Sequence, residues 1–313
     1  MTISTGFTAA STAADVIAGI DLNGRRAIVT GGGSGIGIET ARALADAGAE
    51  VTLAVRDREQ GERTAEDIVA TTGNKQVLVA RLDLADLTSV ATFVGDWTEP
   101  LDILVNNAGM MASPLMRTPR GWEMQFATNH LGHFALATGL HDALADGAAR
   151  SGEARVVSVS SSAHLRSAVI FDDIHFLERD YQPWAAYGQS KTANVLFAVE
   201  ASRRWAGDGI TVNALMPGGI RTNLQRYVSE EDLNRMRTAA GGGAAAWKTP
   251  EQGAATSVLV ATSPLLTGVG GRYFEDCNEA ELNEPGTRRG VAAYALDPAA
   301  AVRLWDVSVA TLG

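Results

Sequence analysis

The chain has 313 residues, 46% of them hydrophobic and 20% charged, with a formal net charge of −10. This composition excludes disordered, collagen-like and fibrous proteins, and the acidic balance excludes broad nucleic-acid backbone binding, which needs a basic face. The single cysteine, Cys277, excludes an internal disulfide framework and any multi-cysteine zinc site.

Residues 1–22 are rich in Ser, Thr and Ala and carry neither a basic leader nor a continuous apolar stretch, so they read as an N-terminal extension. From Arg25 the pattern changes. Arg26–Thr30 (RAIVT) predicts a short buried strand, followed by a glycine cluster and a helix over 36–47 that stops at Gly48. Val51–Val55 predicts a second strand, then a helix over 58–71, a strand over 76–81 and a helix over 86–97. A strand at Ile103–Val105, a long helix over 120–146, a strand at Arg155–Val159, a helix over 184–206 and a strand at Ile210–Leu215 continue the series.

Short apolar strands alternating with amphipathic helices predict an α/β fold: one doubly wound parallel sheet of about seven strands with helices on both faces. The alternation runs to about residue 274 without a Pro/Ser-rich linker, which predicts one catalytic domain over 23–275. Residues 276–313 form a C-terminal extension whose last helix Asp297 caps and Pro298 opens. Two segments interrupt the pattern, 162–186 and 223–249, the latter running from a polar stretch (SEEDLNRMR) into GGGAAA. Both follow strands, and ligands of open parallel sheets sit beyond strand carboxyl ends, so both are expected to wall or cover a site. No run of about 18 apolar residues exists, so no membrane partner is expected; with a lone cysteine, the expected location is cytoplasmic.

Two constellations carry chemistry. Thr30–Gly37 (TGGGSGIG) follows a strand and opens a helix. Its glycines permit a sharp turn and close approach to a pyrophosphate, and the helix N-terminus supplies free N–H donors. The spacing is TGxxxGxG rather than G-x-G-x-x-G, since Thr40 stands where the last glycine would fall. The second is Tyr187-Gly188-Gln189-Ser190-Lys191, which sets a phenol and an amine four residues apart on one helix face. A free phenol titrates near 10, and lowering it by ~3 units asks for ~4 kcal/mol of differential stabilisation from neighbours such as an ammonium.

These segments, with Val159-Ser160-Ser161-Ser162, Asn106-Asn107-Ala108-Gly109, Asn129 and Pro217-Gly218, stand in the order of the short-chain dehydrogenase/reductase family, in its short rather than extended branch. The resemblance covers about residues 24–275, and the texts VSVSSSAH, GRYFEDCNEAE and RLWDVS are most similar to the retinol dehydrogenase-like group. It implies a Rossmann-type fold and an oxidoreductase that interconverts a carbonyl and an alcohol with NADP(H) or NAD(H).

The roles it implies are as follows. Tyr187 acts as general acid or base. Lys191 holds the nicotinamide ribose and lowers the Tyr187 pKa. Ser161 bonds the substrate oxygen, with Ser160 and Ser162 as alternatives of shifted register. Asn129 holds a water that relays protons to Lys191. Gly31, Gly33, Ser34, Gly35, Ile36 and Gly37 cradle the cofactor, as do Asn107, Ala108 and Gly109. Asp83 and Leu84 contact the adenine, Asn106 braces the sheet, and Pro217, Gly218, Ile220 and Thr222 line the carboxamide end. No metal is implied. Family habit implies a homodimer or homotetramer.

Cofactor choice is argued from charge. At the end of the second strand Val55 precedes Arg56, where an NAD-specific site would place a carboxylate. A guanidinium there favours the 2′-phosphate of NADP(H); the alternative is a solvated charge leading a helix, with Asp57 orienting it. The lid-like segments hold Phe171, Ile174, Phe176, Leu177, Tyr181, Trp184, Leu224 and Tyr227, which suggests a mostly hydrophobic substrate of moderate size. His130 and His133 are read as packing rather than as ligands, His164 and His175 as residues that could touch substrate, and Met110-Met111 as soft apolar lining. A competing reading is a non-catalytic NADP-binding regulator or redox sensor, disfavoured because both Tyr187 and Lys191 are retained. An epimerase or dehydratase of the extended branch would carry TGxxGxxG, which is not found here.

Overall fold

The computed structural model describes residues 2–232 and 247–313. Most of the polar and glycine-rich part of the second lid-like segment, residues 233–246, lies outside the described residues. The strands are β1 (Arg26–Thr30), β2 (Glu50–Val55), β3 (Val77–Arg81), β4 (Ile103–Asn106), β5 (Ala154–Val159), β6 (Ile210–Met216), β7 (Tyr273–Glu275) and β8 (Asn278–Glu279). They form one sheet in the order β3-β2-β1-β4-β5-β6-β7-β8. β1 to β7 run parallel; β8, a two-residue antiparallel strand beyond the seven expected, returns through Asp276 and Cys277, both at positive φ. Backbone of this kind suits a tight hairpin, whose direction of twist matches the sheet. The N-terminal residues cover its edge: Glu279 N donates to Ile3 O at 3.0 Å and Thr5 N to Asn278 Oδ1 at 2.9 Å.

The central strands are buried on both sides because helices cover both faces. On one face Ala27, Val29, Leu53 and Val105 pack with α1 (Ala13–Ile17), α2 (Ile36–Asp46), α3 (Arg58–Thr72) and α9 (Pro250–Thr262). On the other, Ile28, Ala54, Leu104 and Val156 pack with α4 (Leu87–Asp96), α6 (Gly132–Gly139), α7 (His141–Ser151) and α8 (Pro183–Trp205). The last helix, α10 (Pro298–Leu312), is capped by Asp297 as expected and drives Trp305 between Phe134, at 4.8 Å, and Trp205, at 5.8 Å. Among the described residues no helix is long and apolar enough to cross a membrane.

The long helix expected over 120–146 is instead three helices. It starts later, at α5 (Met124–Phe126), because Arg117 and Glu123 form a bridge and the Glu123 carboxylate caps the first amides. A π turn at Ala127–Leu131 follows, then α6, then a break at Leu140 before α7. Glycine sets the depth at which these helices lie: a Cβ on Gly147 would overlap the Leu101 carbonyl, and one on Gly132 the Leu84 carbonyl. The obstacle is backbone and cannot rotate away. Gly147→Ala is therefore expected to cost about 1–3 kcal/mol in chemical denaturation. Gly95→Ala, in an exposed helical position with open space, is expected to stabilise by up to about 1 kcal/mol. Equal effects of the two would refute this account of the packing.

Candidate active site

Chain order reverses between β1 and β4, so a crevice opens at their carboxyl ends. Thr30, the last residue of β1, organises its floor. Its hydroxyl oxygen accepts from Asn107 N and Ala108 N, both at 2.9 Å, and the Asn107 side-chain amide donates to Thr30 O at 2.8 Å. The brace between the two strands is thus Asn107, not Asn106. Asn106 still lies in the strand, and its buried amide has no hydrogen-bond partner among the described residues; the chain leaves the strand one residue later, so Asn107 can fold back onto β1.

The glycine turn follows. Gly31 (φ 66°) and Gly35 (φ 56°) occupy left-handed backbone that a side chain would strain. Gly31 lies against Ala108, Gly35 against Thr222, and Gly37 so close to the Gly31 carbonyl that a Cβ would overlap it. Gly33 backs onto Val55 and Gln60, and Ser34 is exposed at the tip. No side chain caps α2 at Gly35, so its first amides are open to an anion. This cradle fits a dinucleotide pyrophosphate. Around it stand Arg56, exposed one residue past β2, and the Asp83-Leu84 pair, where the Asp83 carboxylate accepts from Ala85 N at 3.0 Å. Asp57 does not orient Arg56: its carboxylate caps α3 by accepting from Gln60 N at 3.1 Å. On the far side Pro217, Gly218 (φ 107°) and Ile220 follow β6, and Lys248 packs against Gly218 while pairing with Asp276 at 2.8 Å. Lys248 was not anticipated from sequence, since it is remote from every motif.

Tyr187 and Lys191 lie on α8, one turn apart, and both are buried. The Ser161 hydroxyl lies beside the Tyr187 phenol, close enough to oppose the rise in its pKa. Lys191 Nζ donates to Val159 O at 2.9 Å and stands 5.8 Å from the Tyr187 ring centre. Asn129, in the π turn, accepts from Met110 N at 2.9 Å and donates to Ser190 Oγ at 2.9 Å; Gly109 passes between Asn129 Oδ1 and Lys191 Nζ. Ser190, which ties Asn129 to the Tyr187 carbonyl, is a further member whose position inside YGQSK was the available signal. The three serines differ in their partners. Ser160 Oγ donates to Lys191 O at 2.7 Å and Ser162 Oγ accepts from Arg288 at 3.3 Å, so Ser161 is the one beside the phenol.

Burial dominates the electrostatics of the site. It pushes the Tyr187 phenol up to about 12, with Ser161 opposing, and the Lys191 ammonium down to about 7. The phenol is accordingly a proton-bearing group at neutral pH, and the charge of Lys191 is poised to change there.

The apolar wall is smaller than expected. Met111, Ala112 and Ala163 cluster with Tyr187, and Trp184, Leu224 and Val228 pack on them. Phe171 and Ile174 belong instead to a cluster with Phe126 and Leu304 under α10. Phe176 packs edge-on against Tyr181, and Leu177 is 73% exposed. The cause is Asp173, whose carboxylate accepts from the amides of Leu177, Glu178 and Arg179 and curls the segment away. His175 accepts from Glu123 N between Trp122 and Phe126, away from the Tyr187 cluster.

His130, His133 and His164 are buried and spend their ring nitrogens on protein partners. His130 meets Ser308 Oγ at 2.8 Å, and His133 donates to Asn129 O at 3.0 Å while Thr30 Oγ1 lies 2.9 Å from its other nitrogen. Burial lowers their pKa values to about 3 for His130 and about 4 for His133 and His164. Below an unfolded value near 6.5 the unfolded chain takes up protons that the folded chain refuses, so stability falls with pH from there towards 4. The denaturation midpoint is expected to drop steadily between these limits. His130→Gln is expected to start lower at neutral pH but decline less steeply. An unchanged slope in that variant would exclude His130 as a contributor.

A family model described as short chain dehydrogenase matches residues 25–233. The chain is 57% identical over 300 residues to a probable oxidoreductase from Streptomyces lividans, covering 94% of this chain and 99% of that one. It is 40% identical over 297 residues to human retinol dehydrogenase 11, covering 94% and 87%. Among solved structures it resembles the Pseudomonas aeruginosa RhlG/NADP active-site complex with a TM-score of 0.64 and 27% identity, over 81% of this chain and 95% of that one.

Proposed function

Because the chain belongs to the short-chain dehydrogenase family and is an oxidoreductase, we propose that it interconverts a ketone or aldehyde and the corresponding alcohol on a mostly hydrophobic small molecule, using NADP(H). The observation that carries the reading is the buried Tyr187 hydroxyl beside Ser161, with Lys191 one turn along the same helix. The Met111, Trp184, Leu224 and Val228 surface beside it supports an apolar substrate.

The nicotinamide of the bound cofactor supplies or accepts the hydride. The residues that would hold it are Gly31 to Gly37, Arg56, Asp83, Leu84, Asn107 to Gly109, Lys191, Pro217, Gly218, Ile220 and Thr222. In reduction the Tyr187 hydroxyl donates its proton to the carbonyl oxygen, and Ser161 donates a hydrogen bond to the same oxygen. Its high pKa keeps Tyr187 protonated for that task. In oxidation Tyr187 accepts the alcohol proton, and a protonated Lys191 lowers the cost of the phenolate. Asn129 takes the place at which a water could pass protons between Lys191 and solvent. Arg56 supports NADP(H), since no carboxylate precedes or pairs with it among the described residues.

The test is to follow the reduced-nicotinamide absorbance with NADPH and a panel of aryl, alicyclic and long-chain ketones and aldehydes. Turnover rising with substrate hydrophobicity is expected. NADPH binding without turnover across the panel would favour a cofactor-binding regulator instead.

A further inference from the structure

Ser161 is held from behind by a residue that touches neither phenol nor amine. His164 lies in the middle of the short helical turn Ser162–Arg166 that follows Ser161, and it is fully buried. Its Nδ1 lies 2.7 Å from Ser161 O and its Nε2 3.1 Å from Ala292 N. These partners leave one protonation state. A carbonyl can only accept, so Nδ1 carries the hydrogen; a backbone N–H can only donate, so Nε2 is bare. The His164 carbonyl is fixed as well, accepting from Thr192 Oγ1 of α8 at 3.1 Å and from the Tyr294 hydroxyl at 2.6 Å. Tyr273 of β7 packs against the ring at 4.9 Å between centres. The imidazole, alongside the Tyr294 hydroxyl on the His164 carbonyl, therefore joins the serine loop to the turn Ala292–Ala295, which lies far along the chain beside α10.

We infer that His164 is a positioning residue for this reaction: it transmits the docking of the C-terminal turn at Ala292 to the backbone of Ser161, and so aims the Ser161 hydroxyl at the substrate oxygen. The inference rests on the reading of Ser161 and Tyr187 given above. Its physical basis is that a hydroxyl bonding a reacting oxygen must be placed to within a fraction of an ångström, and misplacement by about 1 Å can cost about 100-fold in rate. Ser161 sits at the end of a strand where a loop begins, and its side chain, beside Tyr187, accepts from Ala163 N at 3.1 Å. The loop is held at its carbonyl by His164.

The two halves of the ring can be removed separately. In His164→Asn the amide nitrogen falls near the place of Nδ1 and keeps the donor to Ser161 O. In His164→Gln the side-chain oxygen reaches the place of Nε2 and keeps only the acceptor for Ala292 N. His164→Phe keeps neither. Ala292→Pro deletes the N–H from the other side, at a φ of −66° that already suits proline. With the best substrate of the panel, kcat is expected to fall about 10–100-fold in His164→Phe and His164→Gln, with KM and the NADPH dissociation constant within about 3-fold of wild type. His164→Asn, which keeps the donor to Ser161 O but cuts the link to Ala292, is expected to match Ala292→Pro and to lie between wild type and His164→Phe. Ala292→Pro should lower kcat in the same direction, and its combination with His164→Phe should cost no more than His164→Phe alone.

Tyr187→Phe is run alongside. If it retains turnover, the reading of the site fails. If it is inactive but Asn, Gln and Phe at 164 lower kcat equally, or lower only the melting temperature, His164 is a packing residue and the inference is overturned. Where His164→Phe does not fold, Ala292→Pro decides: unchanged kcat in a folded, NADPH-binding protein rejects the coupling.

Discussion

Tyr187→Phe is expected to lower kcat by about 10²–10⁴-fold, the usual contribution of a positioned acid or base, with NADPH affinity and fold retained. The ring is conserved in this substitution, so its edge-on contact with Trp184 at 6.2 Å and its place among Met111, Ala112 and Ala163 persist. Only the hydroxyl beside Ser161 is lost. Ser161 keeps its bond from Ala163 N at 3.1 Å, so no buried polar group is stranded and the stability cost should be about 1 kcal/mol. The effect is therefore on chemistry rather than on folding. Steady-state turnover and fluorescence titration with NADPH separate the two. Turnover within a few-fold of wild type would remove the phenol from the mechanism, leaving Ser161 or a water as proton source.

The pH dependence of stability adds a second reading of the same site. Burial sets Lys191 near 7 and Tyr187 near 12. A lysine whose folded value is depressed destabilises the fold while it is charged, so unliganded stability should rise between about pH 7 and pH 10 as the unfolded chain alone retains the proton. Lys191→Met should abolish that rise.

What was legible in the sequence was whatever local chemistry enforces. The apolar strands were read to within a residue or two because both faces of a parallel sheet must be buried, and the glycine turn because its backbone admits no side chain at Gly31, Gly35 or Gly37. Tyr187 and Lys191 could be read because a helix fixes what lies four residues apart. What was not legible depended on contacts between remote segments. Asn107 rather than Asn106 braces β1, because one residue of register decides which side chain leaves the strand. The helix expected over 120–146 is interrupted by a π turn and a break, and starts at 124 because Arg117 and Glu123 pair. The aromatic content of 162–186 suggested a lid. Three amides converging on Asp173 turn most of it towards α10 instead, and leave Trp184 as its share of the wall. His164 was visible as a histidine, but its partner at Ala292 lies 128 residues on.

Arg56→Glu is expected to reverse cofactor preference, raising the NADPH dissociation constant by about 10–100-fold while changing that of NADH by less than about 3-fold. The magnitude follows from a charged hydrogen bond worth about 1.5–3 kcal/mol, replaced by repulsion between carboxylate and phosphate. The guanidinium is available for this role. It is exposed and has no acidic partner among the described residues, whereas its neighbours are committed: Asp57 caps α3, and Arg58 pairs with Glu62 at 2.8 Å. In NADH the same position faces ribose hydroxyls, to which a carboxylate can offer acceptors, so the variant should lose little there. Exposure makes a further demand. An attraction between a solvent-facing guanidinium and a phosphate is screened over about 10 Å at 0.1 M salt, so the wild-type preference for NADPH should narrow as salt is raised, and the variant's should not. A preference for NADPH that survives both the substitution and high salt would mean that Arg56 is a solvated charge and that another group reads the 2′-phosphate.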